Sequence, residues 1–304
     1  MEAGADILVS VIIPTRDRGE RVARAVSSVL GQTHRALDVI VVDDGSVDDT
    51  RERLAALADP RLRVLGHEWS RGVSAARNTG LAAAGGRYLA LLDSDDTWLP
   101  TKVERLLAFA RAGGYTICQN QEIWLRGGRR VNPGQGYEKL GGFFFEQALG
   151  RCLVSPSSVL FTRDLLDTVG GFDETLPACE DYDLWLRTLI RYPVGLLNEW
   201  LTVRHGGRPD QLSASIVGLD LFRIRAMLKL LGQPGLSAWH RDCIIRELGR
   251  KTAVYRRGCL KNGLPEEAER IRVLVDAAQK TGPATGCAAP DMAQAGPGAP
   301  GSRD

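Results

Sequence analysis

Along the first hundred residues, short apolar runs alternate with apolar stripes of helical spacing. Residues 7–14 are rich in β-branched side chains and stop at Pro14, which predicts a first, central strand. Residues 37–42 and 88–92 repeat the pattern with the length of a buried strand, and residues 62–65 give a short third strand between them. Between them Val22, Ala25, Val26 and Val29 form a helical stripe that Gly31 closes. Leu54, Leu57 and Ala58 give an inner face to a second helix capped by Asp48, Asp49 and Thr50, and residues 72–81 predict a third, built of small residues. Alternating strands and helices predict an α/β layer structure with a mostly parallel sheet.

The second half is less regular. A helix is expected over 102–110 and a strand over 115–118; residues 119–142 are polar and Gly-rich, with Gly127 and Gly128 marking a hairpin between 123–125 and Val131. Phe143, Phe144 and Phe145 are either core at the start of a helix or part of an apolar binding groove. A strand at 159–161, a turn at 170–174, a helix at 179–187 opening with acids, and a strand at 194–203 follow. Arg204, His205, Gly206 and Gly207 then read as a loop. Amphipathic helices at 220–231, 239–259 and 265–278 predict a helical appendage, and the Gly, Ala and Pro beyond Thr281 predict a disordered tail. The expected organisation is a domain over 1–215, a helical region over 216–280 and a tail over 281–304.

In parallel sheets ligands bind outside the carboxyl ends of the strands. Residues 14–17, 43–46 and 93–96 follow the first, second and fourth strands, so three loops should converge on one crevice. Asp93, Asp95 and Asp96 repel one another unless solvent or a cation relieves them. Mg²⁺ or Mn²⁺, which takes carboxylate oxygens together with substrate phosphates, does this well. The plainer alternative is a solvated loop ahead of a helix that begins near Thr97, Pro100 and Glu104. The first loop lacks G-x-G-x-x-G and no P-loop pattern occurs, which argues against both nucleotide sites.

Composition narrows the reading further. At 304 residues, 44% apolar and 25% charged, the chain suits a soluble protein of one large or two smaller domains. A net charge of +2 gives no electrostatic ground for nucleic-acid binding. The six cysteines form no C-x-x-C pair, so buried free thiols are expected rather than zinc. With no basic-apolar leader and no long apolar run, the expectation is a cytoplasmic protein without a spanning segment. Contact with a membrane surface stays open.

Taken together, residues 9–15, 41–46, 72–80 with Ala76, Arg77 and Asn78, 92–96, and 170–173 ahead of Glu180 and Asp181 resemble glycosyltransferase family 2 in order and spacing, over roughly residues 7–205. The resemblance implies a GT-A fold, a Rossmann-like sheet flanked by helices. It also implies a nucleotide-diphosphate sugar donor, a divalent metal (Mn²⁺ or Mg²⁺), inversion at the anomeric carbon and a place in polysaccharide biosynthesis. By the same resemblance Pro14, Thr15 and Asp17 line the nucleotide site, Asp44 bonds the base and Arg77 lies beside the nucleotide. Asp93 and Asp95 hold ribose and metal, with Asp96 and His205 as further metal ligands, and Asp181 is the catalytic base. For His205 the alternative is a local hydrogen bond, with Arg204 or Arg208 touching phosphate. Asp44 and the first loop suit a pyrimidine, hence a uridine diphosphate donor; the acceptor is a glycan, a lipid-linked sugar or a protein. Two other readings compete. Residues 93–97 also fit the D-x-D-x-T pattern of haloacid dehalogenase-like phosphoryl transfer, although three strands precede it here, and an inactive nucleotide-sugar-binding protein would carry the same motifs.

Overall fold

The computed structural model describes residues 7–132, 134, 137–207, 218–233 and 236–280. Strand β1 (Val9–Thr15) is buried at every position and lies between β2 (Leu37–Asp43) and β4 (Tyr88–Leu91), parallel to both. Strand β3 (Leu62–Gly66) extends the parallel set outward from β2. Burial on both faces explains why β1, β2 and β4 read as unbroken apolar runs, whereas β3 is at least partly exposed at every position. Helix α1 (Gly19–Leu30) buries Val22, Ala25, Val26 and Val29, the stripe expected of it, and α2 (Thr50–Ala55) buries Leu54. The N-cap position of α2 is Asp49, which makes no side-chain cap hydrogen bond; Asp48, one residue earlier, accepts the backbone N–H of Thr50 at 3.0 Å through its Oδ1.

Helix α3 (Val73–Ala83) shows why small residues were needed. A Cβ on Gly80 would fall 2.5 Å from Ile12 Cγ2, so the helix sits closer to the sheet than any side chain at that position permits. That proximity brings Arg77 to the strand ends.

Beyond β4 the sheet becomes mixed. Its order is β3-β2-β1-β4-β8-β6-β9-β5, with β7 beside β6. Strand β8 (Val159–Thr162) runs antiparallel to β4 and to β6 (Ile117–Arg126), while β9 (Val194–Gly206) runs parallel to β6 and antiparallel to β5 (Thr97–Trp98). The parallel arrangement inferred from the first hundred residues thus holds for β1 to β4, and the later strands add the antiparallel pairs. Strand β6 is much longer than the 115–118 expectation, and it turns at Gly127 and Gly128 into β7 (Arg129–Val131), the hairpin those glycines marked. Its polar residues hid it. Gln119 Nε2 donates to Leu140 O at 3.0 Å and Asn120 Nδ2 to Thr202 Oγ1 at 3.1 Å, so the amide nitrogens of both are buried against acceptors, while Gln119 Oε1 has no partner among the described residues. Because β6 continues, β9 continues with it: Leu125 pairs with His205 and Arg126 with Gly206, which places His205 on a strand and corrects the loop expected there.

Helix α4 (Lys102–Gly113) buries Val103, Leu106, Leu107 and Ala110. Helix α5 (Phe145–Gly150) opens with Phe144 and Phe145 in the core, while Phe143 is exposed. Helices α6 (Arg163–Val169) and α7 (Glu180–Leu189) complete the layer. The chain divides into two compact units, Met1–Ala226 and Met227–Asp304, with the division inside α8 (Leu219–Leu231). In the second unit α9 (Ala238–Lys261) and α10 (Pro265–Lys280) pack on each other, α9 burying Ile244 and Leu248 and α10 burying Ile271 and Val275. The tail over 281–304 lies outside the described residues. Five described cysteines are free thiols. No helix among the described residues is long and apolar enough to cross a membrane.

Candidate active site

A cavity of about 1100 Å³ opens at the carboxyl ends of β1, β2 and β4, and is bounded beyond them by the ends of β6 and β9 and by the start of α7. Pro14, Thr15, Asp44, Arg77, Asp93, Asp95, Asp96, Asp181 and His205 all line it. Asp17 is the one expected residue outside the lining. Its backbone, at φ 49°, donates to Ser46 Oγ at 2.8 Å and its Oδ1 accepts Val47 N–H at 2.8 Å, so it fastens the first loop to the second. Thr15 Oγ1, by contrast, is buried at the cavity with no hydrogen-bond partner among the described residues.

Asp44 is saturated. Its Oδ1 accepts Arg71 N–H at 2.8 Å and His67 Nδ1–H at 2.7 Å, and its Oδ2 accepts Ser70 Oγ–H at 2.7 Å and Gly72 N–H at 2.9 Å. A carboxylate has about four lone-pair sites, so Asp44 as it stands shapes residues 70–72 ahead of α3. Burial would raise its carboxyl, but the donors of Arg71, His67, Ser70 and Gly72 outweigh this and hold it below the ordinary value. A contact to a base would require one of them to yield.

Arg77 is the centre of the site's charge. Its Nη2 donates to Asp93 Oδ1 at 2.8 Å and its Nη1 to Glu180 Oε1 at 2.6 Å, and the guanidinium lies 5.0 Å from the centroid of the Phe172 ring. Burial opposes its charge, but Asp93, Glu180 and Asp181 overcome that and raise its pKa. The next residue, Asn78, exchanges hydrogen bonds with the backbone of Phe172, Nδ2 to O and N to Oδ1, each at 2.9 Å. A Cβ on Gly171 would meet Asn78 Oδ1 at 2.7 Å. The turn before α7 is thereby clipped to α3.

The acidic tetrad divides into inner and outer groups. Asp96 is buried; its Oδ2 accepts Ser157 Oγ–H at 2.7 Å and its Oδ1 accepts His205 N–H at 3.1 Å. Burial, opposed by Arg204 and reinforced by Asp93 and Asp95, pushes its carboxyl up to about 7. Ser157 Oγ also accepts Asp93 N–H at 3.1 Å, and Ser157 O accepts Trp98 Nε1–H at 2.8 Å and Lys102 Nζ at 2.7 Å. Asp95 faces the cavity with Arg18 Nη1 at 3.6 Å, and burial together with the neighbouring Asp93 raises its carboxyl. His205 Nε2 lies 3.3 Å from Thr97 Oγ1.

Among the described residues no three His, Cys, Asp or Glu side chains are arranged to hold a metal unaided. A hard divalent ion completed by substrate phosphates does not require three, and Asp95 beside Asp93, two mutually repelling oxygen donors at the cavity, fits one. Asp181 also lines the cavity: its Oδ1 accepts Tyr182 N–H at 2.7 Å, and its Oδ2 lies 3.4 Å from Cys152 Sγ, whose single hydrogen is shared with the nearer Val154 O at 3.1 Å, so lone pairs remain for a further donor.

A family model described as "Glycosyl transferase family 2" matches residues 10–161. The UDP-Glc:alpha-D-GlcNAc-diphosphoundecaprenol beta-1,3-glucosyltransferase WfgD of Escherichia coli is 33% identical over 201 residues, which cover 64% of this chain and 74% of that protein. This chain belongs to glycosyl transferase family 2. Two further relatives are longer, the matches covering 37% of each. Among solved structures, S. aureus TarS 1-349 in complex with UDP-GlcNAc superposes with a TM-score of 0.72 at 18% identity, over 90% of this chain and 88% of that one. The mannosyltransferase PcManGT from Pyrobaculum calidifontis, in complex with GDP-Man and Mn2+, gives 0.58 at 15% identity, over 90% and 87%. The family 2 chain therefore has the GT-A fold and is a glycosyltransferase. Its acidic tetrad follows β4, and family membership leaves the phosphoryl-transfer reading without support.

In this family 2 transferase several residues of the site had no signal in the sequence. Ser157 lies just ahead of the strand expected at 159–161, and nothing in its sequence context marks it. Glu180 looked like an ordinary first-turn acid, yet it is the buried partner of Arg77. His67, which links Asp44 to Thr79 Oγ1 at 3.0 Å, carries no motif at all.

Proposed function

We propose that this protein transfers a sugar from a uridine diphosphate donor to an acceptor hydroxyl in one in-line displacement that inverts the anomeric carbon. The observation that carries the reading is a single cavity lined together by the tetrad, by Arg77 and by the carboxylate of Asp181. Thr15, with its unpartnered hydroxyl, and Pro14 line the nucleotide end, and Asp93, fixed by Arg77, meets the ribose. Asp95 holds the divalent ion, with His205 beside it and Asp96 keeping the loop in place. When bound, that ion supplies Lewis-acid stabilisation of the charge left on the departing diphosphate. Asp181 accepts the proton of the attacking hydroxyl, its carboxylate held by the Tyr182 N–H. A base opposite the leaving group suits inversion.

The choice of uridine is supported by the UDP-Glc in the name of WfgD and by the UDP-GlcNAc bound to TarS, and that of the metal by the Mn2+ of PcManGT. Thermal shifts with UDP, GDP and dTDP, with and without Mn²⁺, test the donor site. UDP with Mn²⁺ should give the largest shift, because stabilisation grows with the logarithm of ligand over dissociation constant. A larger shift with another nucleotide would overturn the choice of base, and no shift with any would overturn the reading.

A further inference from the structure

One short stretch of chain joins the candidate base to the acidic tetrad. At its start Cys152 Sγ lies 3.4 Å from Asp181 Oδ2, and at its end Ser157 Oγ donates to Asp96 Oδ2 at 2.7 Å. Cys152, Leu153, Val154, Ser155 and Pro156 all line the cavity between them. Five residues reach at most about 18 Å, so base and tetrad are held within the length of a sugar ring and the diphosphate that carries it. In an in-line displacement the transferred ring lies between the base and the departing diphosphate, hence along this stretch.

The stretch carries a hydroxyl with nothing to bond. Ser155 is buried, and its Oγ has no hydrogen-bond partner among the described residues. The neighbouring serines differ: Ser157 Oγ serves Asp96 and Asp93, and Ser158 Oγ donates to Ser155 O at 3.0 Å and accepts Lys139 Nζ at 3.2 Å. Glu122, reaching the same cavity from β6, presents a second unmet atom. Its Oε2 accepts Trp124 Nε1–H at 3.0 Å, but its Oε1, although 3.2 Å from Lys139 Nζ, has no hydrogen-bond partner among the described residues. The two unmet atoms are neighbours: burial raises the Glu122 carboxyl, and Lys139, Arg204 and then the Ser155 hydroxyl bring it down. Buried polar atoms left unpaired are costly, so the contents of the cavity are what completes them.

We propose that Ser155 and Glu122 together hold one hydroxyl of the transferred sugar and thereby select which sugar the donor carries. A sugar hydroxyl both donates and accepts, so it can give its hydrogen to Glu122 Oε1 and take the hydrogen of Ser155. A phosphate oxygen only accepts, and would meet the Glu122 carboxylate as a second anion. A site built to bond a hydroxyl discriminates strongly against an analogue that lacks it. The proposal rests on the transferase reading above and adds to it the residues that meet the sugar.

Calorimetry in Mn²⁺ with UDP, UDP-glucose, UDP-galactose and UDP-N-acetylglucosamine tests it without requiring turnover. Ser155→Ala should weaken the tightest-bound UDP-sugar by roughly three- to tenfold, the range of a hydrogen bond, while the affinity for UDP stays at the wild-type value. Analogues of that UDP-sugar lacking one hydroxyl each identify the contact. One of them should bind the wild type more weakly and lose nothing further in Ser155→Ala, because both changes remove the same interaction. Glu122→Asp, which keeps a charge for Lys139 and Arg204 but withdraws the oxygen, should also weaken the UDP-sugar and not UDP, and melting temperatures show that each variant is folded. Unchanged UDP-sugar affinity in Ser155→Ala, or losses for every missing hydroxyl that are equal in wild type and variant, would overturn the proposal. Equal weakening of UDP and UDP-sugar would assign Ser155 to the support of the tetrad and overturn it as well. Failure of the wild type to bind UDP is a separate result, which removes the donor reading and the proposal with it.

Discussion

Ser157 Oγ gives its hydrogen to Asp96 Oδ2 at 2.7 Å, from a position 61 residues further along the chain. Because the same oxygen accepts Asp93 N–H, one hydroxyl sets both ends of the tetrad loop. Ser157→Ala leaves buried Asp96 one donor short, and a cost of about 1–3 kcal/mol follows. Urea denaturation should show it, and UDP affinity in Mn²⁺ should fall as the loop loosens. Wild-type values of both would make the bond dispensable.

Asp95→Asn keeps the size of the side chain and removes the anion facing the cavity. The fold should persist, while the Mn²⁺-dependent part of UDP binding should disappear. Metal titration of UDP affinity measures this, and an undiminished Mn²⁺ response would remove Asp95 from the metal site.

For Asp181→Asn, turnover should drop by roughly a hundredfold or more, the scale of lost general-base assistance. UDP affinity should barely change. Normal turnover at saturating donor would place the base elsewhere.

Arg77→Met tests the electrostatic centre. It strands Asp93 and Glu180 beside one another without their shared cation, and breaking a buried pair in this way costs about 3–5 kcal/mol. The double variant Arg77→Met, Glu180→Gln should recover part of that. If both proteins melt with the wild type, the guanidinium is not what holds α7 to α3.

Stability should also fall in acid through Glu122. Burial raises its carboxyl, but Lys139 and Arg204 outweigh burial and bring it down to about 2 from 4.5. The folded value lies below the unfolded one, so the contribution, on the order of 3 kcal/mol, is complete above about pH 4.5 and is lost as pH falls toward 2. Glu122→Gln should lower stability at neutral pH and flatten the acid limb of the stability curve between those values. An acid limb of unchanged slope would show that Glu122 does not set it.

Much of the cavity lining contributed by β1, β2 and β4 was legible because its residues sit at strand ends. Apolar runs marked β1, β2 and β4, and the polar residues after them were bound to meet. The part of the lining contributed by β6 and β9 was not legible, for two physical reasons. Strand β6 carries Gln119, Asn120 and Glu122 toward buried partners, so its pattern is that of a loop, and its true length is set by pairing with β9. Extending β9 moved His205 from a loop to a strand. Asp44 shows the reverse case: its type and place were readable, but its four donors come from residues 67–72, whose bonding no pattern announces.

The clip between Asn78 and Phe172 spans 94 residues, and the bond from Arg77 to Glu180 spans 103. Loop closure over such distances must be paid for before the contacts reward it, which makes them late events in folding. A nascent chain that ended after the tetrad would contain Thr15, Asp44, Arg77 and the tetrad acids and yet lack Glu180, the second partner of Arg77, and Ser157, which sets the tetrad loop. Competence to bind nucleotide should therefore arrive abruptly, when α7 docks, and not in step with synthesis of the residues that touch it.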